Sequence, residues 1–205
     1  MKLYLNTLPL ELIVISSGYL GVAALGAMTL VNAFATLIFI FPLSFSVAAQ
    51  FLIESYIISS EDFFEKVSRS RLVCTLVLLF GLLTSLIIFL IVNNFPSELL
   101  SLYVYDSNMK DLAVKALATY SYVFIADSFQ CLLFGIMKGK GIQHYVFVHS
   151  ILCLWIIGLG SALLITFVFD FGIAGLYFGY GNGLIALCFC NVYYIYKSKW
   201  DMVDL

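Results

Sequence analysis

The sequence predicts an all-α integral membrane protein with six transmembrane helices. Of its 205 residues, 63% are hydrophobic and only 11% are charged, and the mean hydropathy is +1.07. Apolar runs of about 20 residues recur along the chain, which is the length that an α-helix needs to cross a bilayer. Because six such runs and their short connections use the whole length, no room is left for a separate soluble domain.

The first of the six predicted spans differs from the others. It is shorter, starts almost at Met1 and is interrupted by Asn6, Pro9 and Glu11. Since it has neither an uninterrupted apolar stretch nor a small-residue cleavage site, we do not expect a cleaved signal peptide. The spans cover residues 3–20, 22–53, 72–92, 113–137, 145–169 and 171–196.

Two polar connections are expected to form helices of their own. The segment 54–70 carries apolar residues at Phe63, Phe64 and Val67, a pattern typical of an amphipathic helix lying at the cytosolic interface. The segment 96–106 is expected to lie in the same way on the opposite side of the membrane.

The basic residues predict the orientation of the bundle. Eight of the ten Lys and Arg residues fall on one side of the predicted bundle, on every second polar segment counted from the N-terminal segment that carries Lys2. Lys and Arg near span ends favour the cytosolic side, so both termini are predicted to be cytosolic. The net charge of −2, with no acidic or basic tail, argues against nucleic acid as a partner.

Glu11 is an ionisable residue in the middle of a predicted span. Such a side chain is costly at bilayer depth, so we expect it to be protonated, paired or facing a water-filled cavity. A carboxyl group in this position can bind a proton and release it when a cationic substrate arrives. Alternatively, Glu11 is a structural acid that is hydrogen-bonded to a neighbouring helix.

Asp127 is a second acid at membrane depth, and Gln130 lies on the same helical face at i+3. The two side chains can share a hydrogen-bond network. Function and structural bracing both remain open for this pair.

The remaining polar and small residues favour packing roles. An odd number of cysteines gives no disulfide framework, and Cys188 and Cys190 point to different faces of one helix, which is poor metal-site geometry. We therefore expect no metal and no cofactor. Neither a nucleophile-and-base pair nor a glycine-rich phosphate loop is present, so an enzyme is not expected. The five cysteines are Cys74, Cys131, Cys153, Cys188 and Cys190.

Glycines at four-residue spacing predict close helix packing. Gly135 and Gly139 form one such pair. A larger group lies near the end of the chain: Gly172, Gly175, Gly179, Gly181 and Gly183.

The sequence also resembles a known family. Residues 135–143 read Gly-Ile-Met-Lys-Gly-Lys-Gly-Ile-Gln, and with Asp127 and Gln130 before them they resemble the tenth-helix motif of the multidrug and toxic compound extrusion (MATE) transporters. Residues 42–49 and 172–179 resemble the family's eighth-helix motif and its Gly-x-x-Gly-Leu-Trp-x-Gly segment, and residues 11–18 resemble the seventh helix of eukaryotic members. These matches run in family order, so residues 1–205 resemble a single lobe, the second six-helix half of a twelve-helix transporter, with the first half absent.

The resemblance implies an antiporter that exports organic cations and other xenobiotics in exchange for protons or sodium, usually protons in eukaryotic members. Glu11 would then carry the coupling, with Asp127 and Gln130 as further proton or substrate residues. The implied partners are the lipid bilayer, protons, small organic cations and either a second six-helix lobe or a second copy. The implied location is the plasma membrane or a vacuolar or endosomal membrane.

The chain departs from the family pattern at three places. Asn6 stands where eukaryotic members often have a second acid, residues 52–54 replace an Arg-x-Gly-Asn run, and Gly160 replaces a proline near Gly158. Two other functions stay open. One is a membrane half-protein or scaffold that does not transport. The other is a flippase of related fold for a lipid-linked substrate, which a strongly basic central cavity would favour.

Overall fold

The protein is a bundle of helices joined by short turns. The computed structural model describes residues 2–59, 63–101, 103 and 107–198, and these residues contain no β-strand. Five of the described helices are long and apolar enough to cross a membrane, and the shorter apolar segment Leu8–Leu20 precedes them. The predicted fold class, an all-α membrane protein with five full spans after a shorter one, is confirmed.

Seven helices make up the described part of the chain. They are α1 (Lys2–Ser16), α2 (Val22–Ser59), α3 (Phe63–Asn94), α4 (Pro96–Ser101), α5 (Ser107–Gly139), α6 (Gln143–Val168) and α7 (Gly172–Lys197). A 3₁₀ turn, Ser17–Leu20, continues α1 and ends at Gly21. Gly21 has a φ of 115°, a conformation that glycine adopts without a steric penalty, so the chain can reverse there into α2.

The prediction of a separate interfacial helix over residues 54–70 is wrong. α2 continues to Ser59 and α3 begins at Phe63, so residues 54–59 and 63–70 form the ends of two long helices, and residues 60–62 lie outside the described residues. The segment contains no Gly or Pro to stop a helix, and extending an existing helix is far easier than nucleating a new one. On the other side of the bundle, the predicted helix after Phe95 is present as the six-residue α4.

α5 and α7 are the central helices. In each of them 61% of the apolar 18-residue stretch is buried, whereas the corresponding stretches of α2, α3 and α6 are 28% buried or less. α5 packs against α2, α3 and α7, and α7 packs against α6. The outer helices expose large apolar side chains such as Leu79 of α3 and Ile156 of α6, which suits a protein whose surroundings are lipid.

Glycines bring the backbones of neighbouring helices into contact, as predicted. A Cβ atom added to Gly135 of α5 would overlap the carbonyl oxygen of Ser46 of α2, and one added to Gly139 would lie 2.8 Å from the Cβ atom of Ile53. We call this contact the α2–α5 seam. Small residues allow such close approach between membrane helices.

A second glycine contact joins α6 to α7. A Cβ atom added to Gly183 would lie 2.6 Å from the Cα atom of Gly158, and one added to Gly179 would overlap the backbone of Ala162. The α6 side of this contact is wider than an α-helix, because Ile151–Leu159 and Leu164–Val168 are π-helical.

The spacing of the buried residues in α6 explains its π-helical turns. Buried residues that recur every four positions stay on one side of a helix only if the helix has, on average, four residues per turn. This is more than the 3.6 residues per turn of an α-helix. The longer i→i+5 turns of a π-helix supply that difference. The buried stripe consists of Val146, Ser150, Leu154, Gly158, Ala162 and Thr166.

Candidate functional site

A cavity of about 330 Å³ is lined by α2, α5 and α7, and Leu10 of α1 and Leu154 of α6 also contribute to its wall. Most of its wall is apolar, and aromatic rings and a few polar groups are set into that wall. This composition is typical of small-molecule sites in proteins. The aromatic and polar lining residues are Asn32, Thr36, Phe39, Ser46, Gln50, Tyr120, Asp127, Gln130, Phe134, Lys138 and Tyr180.

One face of α5 provides four of the aromatic and polar groups in the cavity, including both charged ones. Asp127, Gln130, Phe134 and Lys138 all line the cavity, and their spacing of three, four and four residues places them on one side of a helix. The predicted common face of Asp127 and Gln130 is therefore present. The structure adds Phe134, which the sequence did not single out, and Lys138, which the sequence marked only as part of the motif at residues 135–143.

Asp127 lies where several polar side chains of the core meet. It is close enough to Tyr120 of its own helix and to Tyr180 of α7 to interact electrostatically with both. The same holds for the thiols of Cys131 and Cys188. The carboxyl group therefore lies near phenol and thiol groups of α5 and α7.

The polar residues that α2 contributes to the cavity carry either a hydroxyl or a side-chain amide. The Thr36 hydroxyl donates a hydrogen bond of 2.9 Å to the carbonyl oxygen of Asn32, and the Ser46 hydroxyl donates one of 2.8 Å to that of Cys131. Both hydroxyls are therefore engaged in hydrogen bonds with backbone carbonyl groups of the helices. The side-chain amides of Gln50 and Gln130, on facing walls, are the groups suited to orient a ligand.

Lys138 stands at the opposite end of the α5 face from Asp127. Its ammonium lies 4.4 Å from the centroid of the Phe134 ring, within the range of a cation–π interaction. Lys138 is therefore folded over an aromatic ring of the cavity wall. Nothing in the sequence except the helical spacing from Asp127 indicates this position.

Glu11 is not brought together with Asp127 and Gln130. Its neighbour Leu10 lines the cavity, whereas Glu11 is exposed on the face of α1 that also carries Leu8, Ile15 and Tyr19. Ile15 is 63% exposed and Tyr19 is 86% exposed. We call this surface the α1 outer face. The predicted roles of Glu11, Asp127 and Gln130 in coupling and substrate binding remain predictions.

Cys188 and Cys190 lie two residues apart on α7 and contact different helices. Cys188 donates a hydrogen bond of 3.5 Å to the carbonyl oxygen of Ala126 on α5, while Cys190 contacts the thiol of Cys153 on α6. The two residues thus point to different neighbours, as predicted. All five thiols are free.

Lys140, in the turn after α5, is a buried lysine that the sequence placed in a loop. It is 3% exposed, and its ammonium donates hydrogen bonds to the hydroxyl of Ser198 at 2.6 Å and to the carbonyl oxygens of Ser198 and Ile195. It thereby caps the carbonyl end of α7. Burial, reinforced by the nearby charge of Arg71, lowers the pKa of Lys140 to about 8.

The fold and the cavity define a multi-pass helical membrane protein with a polar site inside the bundle. The model of the MatE family matches residues 2–164, most of the chain. The chain belongs to the MatE family.

Several proteins resemble the chain over most of its length. Multidrug and toxin extrusion protein 1 of Danio rerio is 21% identical over 184 residues, which cover 90% of this chain and 30% of that protein. An uncharacterized transporter of Saccharomyces cerevisiae is 22% identical over 193 residues, covering 94% of this chain and 27% of that protein.

The fold is that of solved MATE transporters. The crystal structure of the eukaryotic MATE transporter AtDTX14 matches with a TM-score of 0.86 at 17% identity, over 96% of this chain and 43% of that one. The chain thus spans about a third of the length of its curated relatives and under half of this solved transporter.

Proposed function

We propose that the protein is one lobe of a secondary active transporter that exports organic cations or other xenobiotics in exchange for protons. The observation that carries this proposal is the position of Asp127. Its carboxyl group opens on a cavity whose wall carries aromatic rings, in a chain that belongs to a family including multidrug and toxin extrusion proteins.

A single carboxyl group can couple the two movements. An ionised carboxylate attracts an organic cation, and a protonated carboxyl group does not, so proton and cation compete for Asp127. Burial among Tyr120 and Tyr180 makes an uncompensated charge there costly. The empty site therefore favours a bound proton, and arrival of a cation favours its release.

The aromatic rings supply the rest of the binding surface. Phe39, Tyr120, Phe134 and Tyr180 line the cavity, and the faces of aromatic rings attract cations while their area binds apolar ligands. The amide of Gln130, one turn from Asp127, can orient the ligand. This combination suits a flat or bulky organic cation.

For Glu11 we propose a coupling role that depends on a second lobe. The α1 outer face exposes Glu11 among large apolar side chains, which is unfavourable in direct contact with lipid. We propose that residues 1–205 form a single lobe whose α1 outer face is covered by a second six-helix lobe. Transporters with two repeats move one bundle against the other around a site at the membrane midplane.

The orientation and location follow from the charges and from the family. We propose that both termini are cytosolic, because eight of the ten basic residues fall on the connections of that side. The proposed location is the plasma membrane or a vacuolar or endosomal membrane. Among the described residues, the cavity lining holds one acid and one lysine, Asp127 and Lys138, and so lacks the strongly basic character that a flippase for an anionic lipid-linked substrate would favour.

The proposal is tested by proton release on cation binding. Purified protein in weakly buffered detergent solution is titrated with tetraphenylphosphonium while the pH is recorded. We expect binding to release protons, and Asp127→Asn to remove both binding and release. The matched control is Asp170→Asn, because Asp170 is exposed, far from the cavity lining and in a left-handed conformation that Asn also adopts.

Flux measurements extend the test to Glu11. In vesicles with a pH gradient, Glu11→Gln should abolish proton-driven movement of the cation without affecting insertion into the membrane. Flux that survives both Glu11→Gln and Asp127→Asn would overturn the coupling assignment. Cation binding without proton release would instead support a protein that does not exchange protons.

A further inference from the structure

The cavity is lined by one negative and one positive side chain, about three helical turns apart on α5. Asp127 and Lys138 are its charged lining residues within the described part of the chain, and both lie on α5. Eleven residues make about three α-helical turns, so the two side chains lie on one face with their Cα atoms about 16 Å apart along the axis. The lining groups from α2 and α7, which include Gln50 and Tyr180, are uncharged types.

Lys138 reaches towards Asp127 instead of away from the cavity. Side chains on a helix lean towards its N-terminus, and the Lys138 ammonium lies over the ring of Phe134, one turn closer to Asp127. The distance between the two charges is therefore on the order of 10 Å. A ligand of ordinary organic size can touch both groups at once.

The ammonium also occupies an aromatic face that a ligand cation would otherwise use. A positive group of the ligand cannot stack on Phe134 without displacing Lys138, and the two like charges repel each other. A carboxylate or another acceptor at the same place would gain a charge-assisted hydrogen bond. Asp127 and Lys138 thus prefer different groups of one ligand.

We infer that Lys138 is a specificity-determining residue, and that the cavity takes ligands with one cationic group at Asp127 and an anionic or hydrogen-bond-accepting group at Lys138. This inference rests on the proposed function of the cavity as a cation site. It adds to that function the orientation of the ligand between Asp127 and Lys138 and the arrangement of charges on the ligand. Ligands with a second positive group at the Lys138 end are excluded.

Two probes that share one scaffold test the inference. The zwitterion 4-(trimethylammonio)benzoate carries a cation and a carboxylate at opposite ends of a benzene ring, and its methyl ester keeps the cation and loses the negative charge. Binding of each probe to the purified full chain is measured by calorimetry. The wild type should bind the zwitterion more tightly than the ester.

The Lys138→Gln variant should reverse that preference. We expect zwitterion affinity to fall at least tenfold while ester affinity stays constant or rises, because the ester gains access to Phe134. Lys138→Arg should retain the preference for the zwitterion. The matched control is Lys115→Gln, since Lys115 is an exposed lysine on the same helix and outside the cavity.

The outcomes separate this inference from the proposed function. If Asp127→Asn abolishes binding of both probes but Lys138→Gln changes both affinities by the same factor, the role of Lys138 is overturned and the cation site stands. If neither probe binds the wild type, or Asp127→Asn changes nothing, both are overturned. Circular dichroism and gel filtration of each variant confirm that it is folded.

Discussion

The ammonium of Lys140 lies 2.6 Å from the hydroxyl of Ser198, so the turn after α5 holds the last turn of α7. Two backbone carbonyl oxygens, those of Ile195 and Ser198, accept further hydrogen bonds from the same nitrogen. The final carbonyl groups of a helix have no partner within the helix. Lys140 supplies one from a turn 55 residues earlier in the chain.

Replacing Lys140 by methionine should destabilise the bundle at pH 10, where the wild-type amine is uncharged and its burial carries no charge penalty. The variant keeps the length of the side chain and leaves the α7 carbonyl groups without their donor, at a cost of about 1–3 kcal/mol. Thermal unfolding in detergent, followed by circular dichroism, measures the effect. Lys197→Met is the control, since Lys197 is an exposed lysine at the end of α7, and an equal loss in both variants would contradict the capping role.

The stability that depends on Lys140 should change with pH in a defined window. Its pKa is about 8 in the folded protein, against 10.5 for an unperturbed lysine. The unfolded chain therefore binds more protons between these values, and the free energy of unfolding rises with pH across that range. The full effect is about 3 kcal/mol, at 1.36 kcal/mol per unit of pKa.

The measurement is the difference in melting temperature between the wild type and Lys140→Met at pH 7.5 and at pH 10. The difference should widen at the higher pH, because only the wild type loses the penalty of burying a charged lysine. A constant difference would show that Lys140 does not titrate in this window.

Adding a methyl group at Gly135 should disrupt the α2–α5 seam. A Cβ atom there overlaps the backbone of Ser46, so Gly135→Ala forces the helices apart at a cost of about 1–3 kcal/mol. Gly160→Ala is the matched control, because a Cβ atom at Gly160 meets nothing within 4 Å. In an α-helix that change gains about 0.5–1 kcal/mol, so the two melting temperatures should move in opposite directions.

Removing the hydroxyl of Tyr177 should not weaken the protein. Tyr177 is 1% exposed, and its oxygen has no hydrogen-bond partner among the described residues. A buried polar group without a partner costs free energy, so Tyr177→Phe should leave the melting temperature unchanged or raise it. A drop of several degrees would mean that a partner group or an ordered water holds this hydroxyl.

The transmembrane spans and the glycine contacts could be predicted from the sequence because both depend on local pattern. Apolar length gives the spans, and four-residue spacing gives faces that pack closely. The common face of Asp127 and Gln130 follows from helical geometry in the same way. In each case the cause lies within one helix.

Features that depend on contacts between distant segments were not predictable. Lys140 looks like a loop residue until α7 is placed beside it, and Lys138 gains meaning only when α2 and α7 enclose the cavity. The π-helical turns of α6 follow from its fit against α7. The four-residue stripe from Val146 to Thr166 becomes visible only from the burial of its residues in the structure.

The α2–α5 seam packs these two helices so closely that we expect them to move as one unit. Close-packed backbones resist both sliding and separation, so neither helix can tilt without the other. The 38 residues of α2 give it a length of about 57 Å, almost twice the thickness of the hydrocarbon core. We therefore expect a displacement of α2 at residues 54–59, next to the seam, to move the adjoining end of α5 with it.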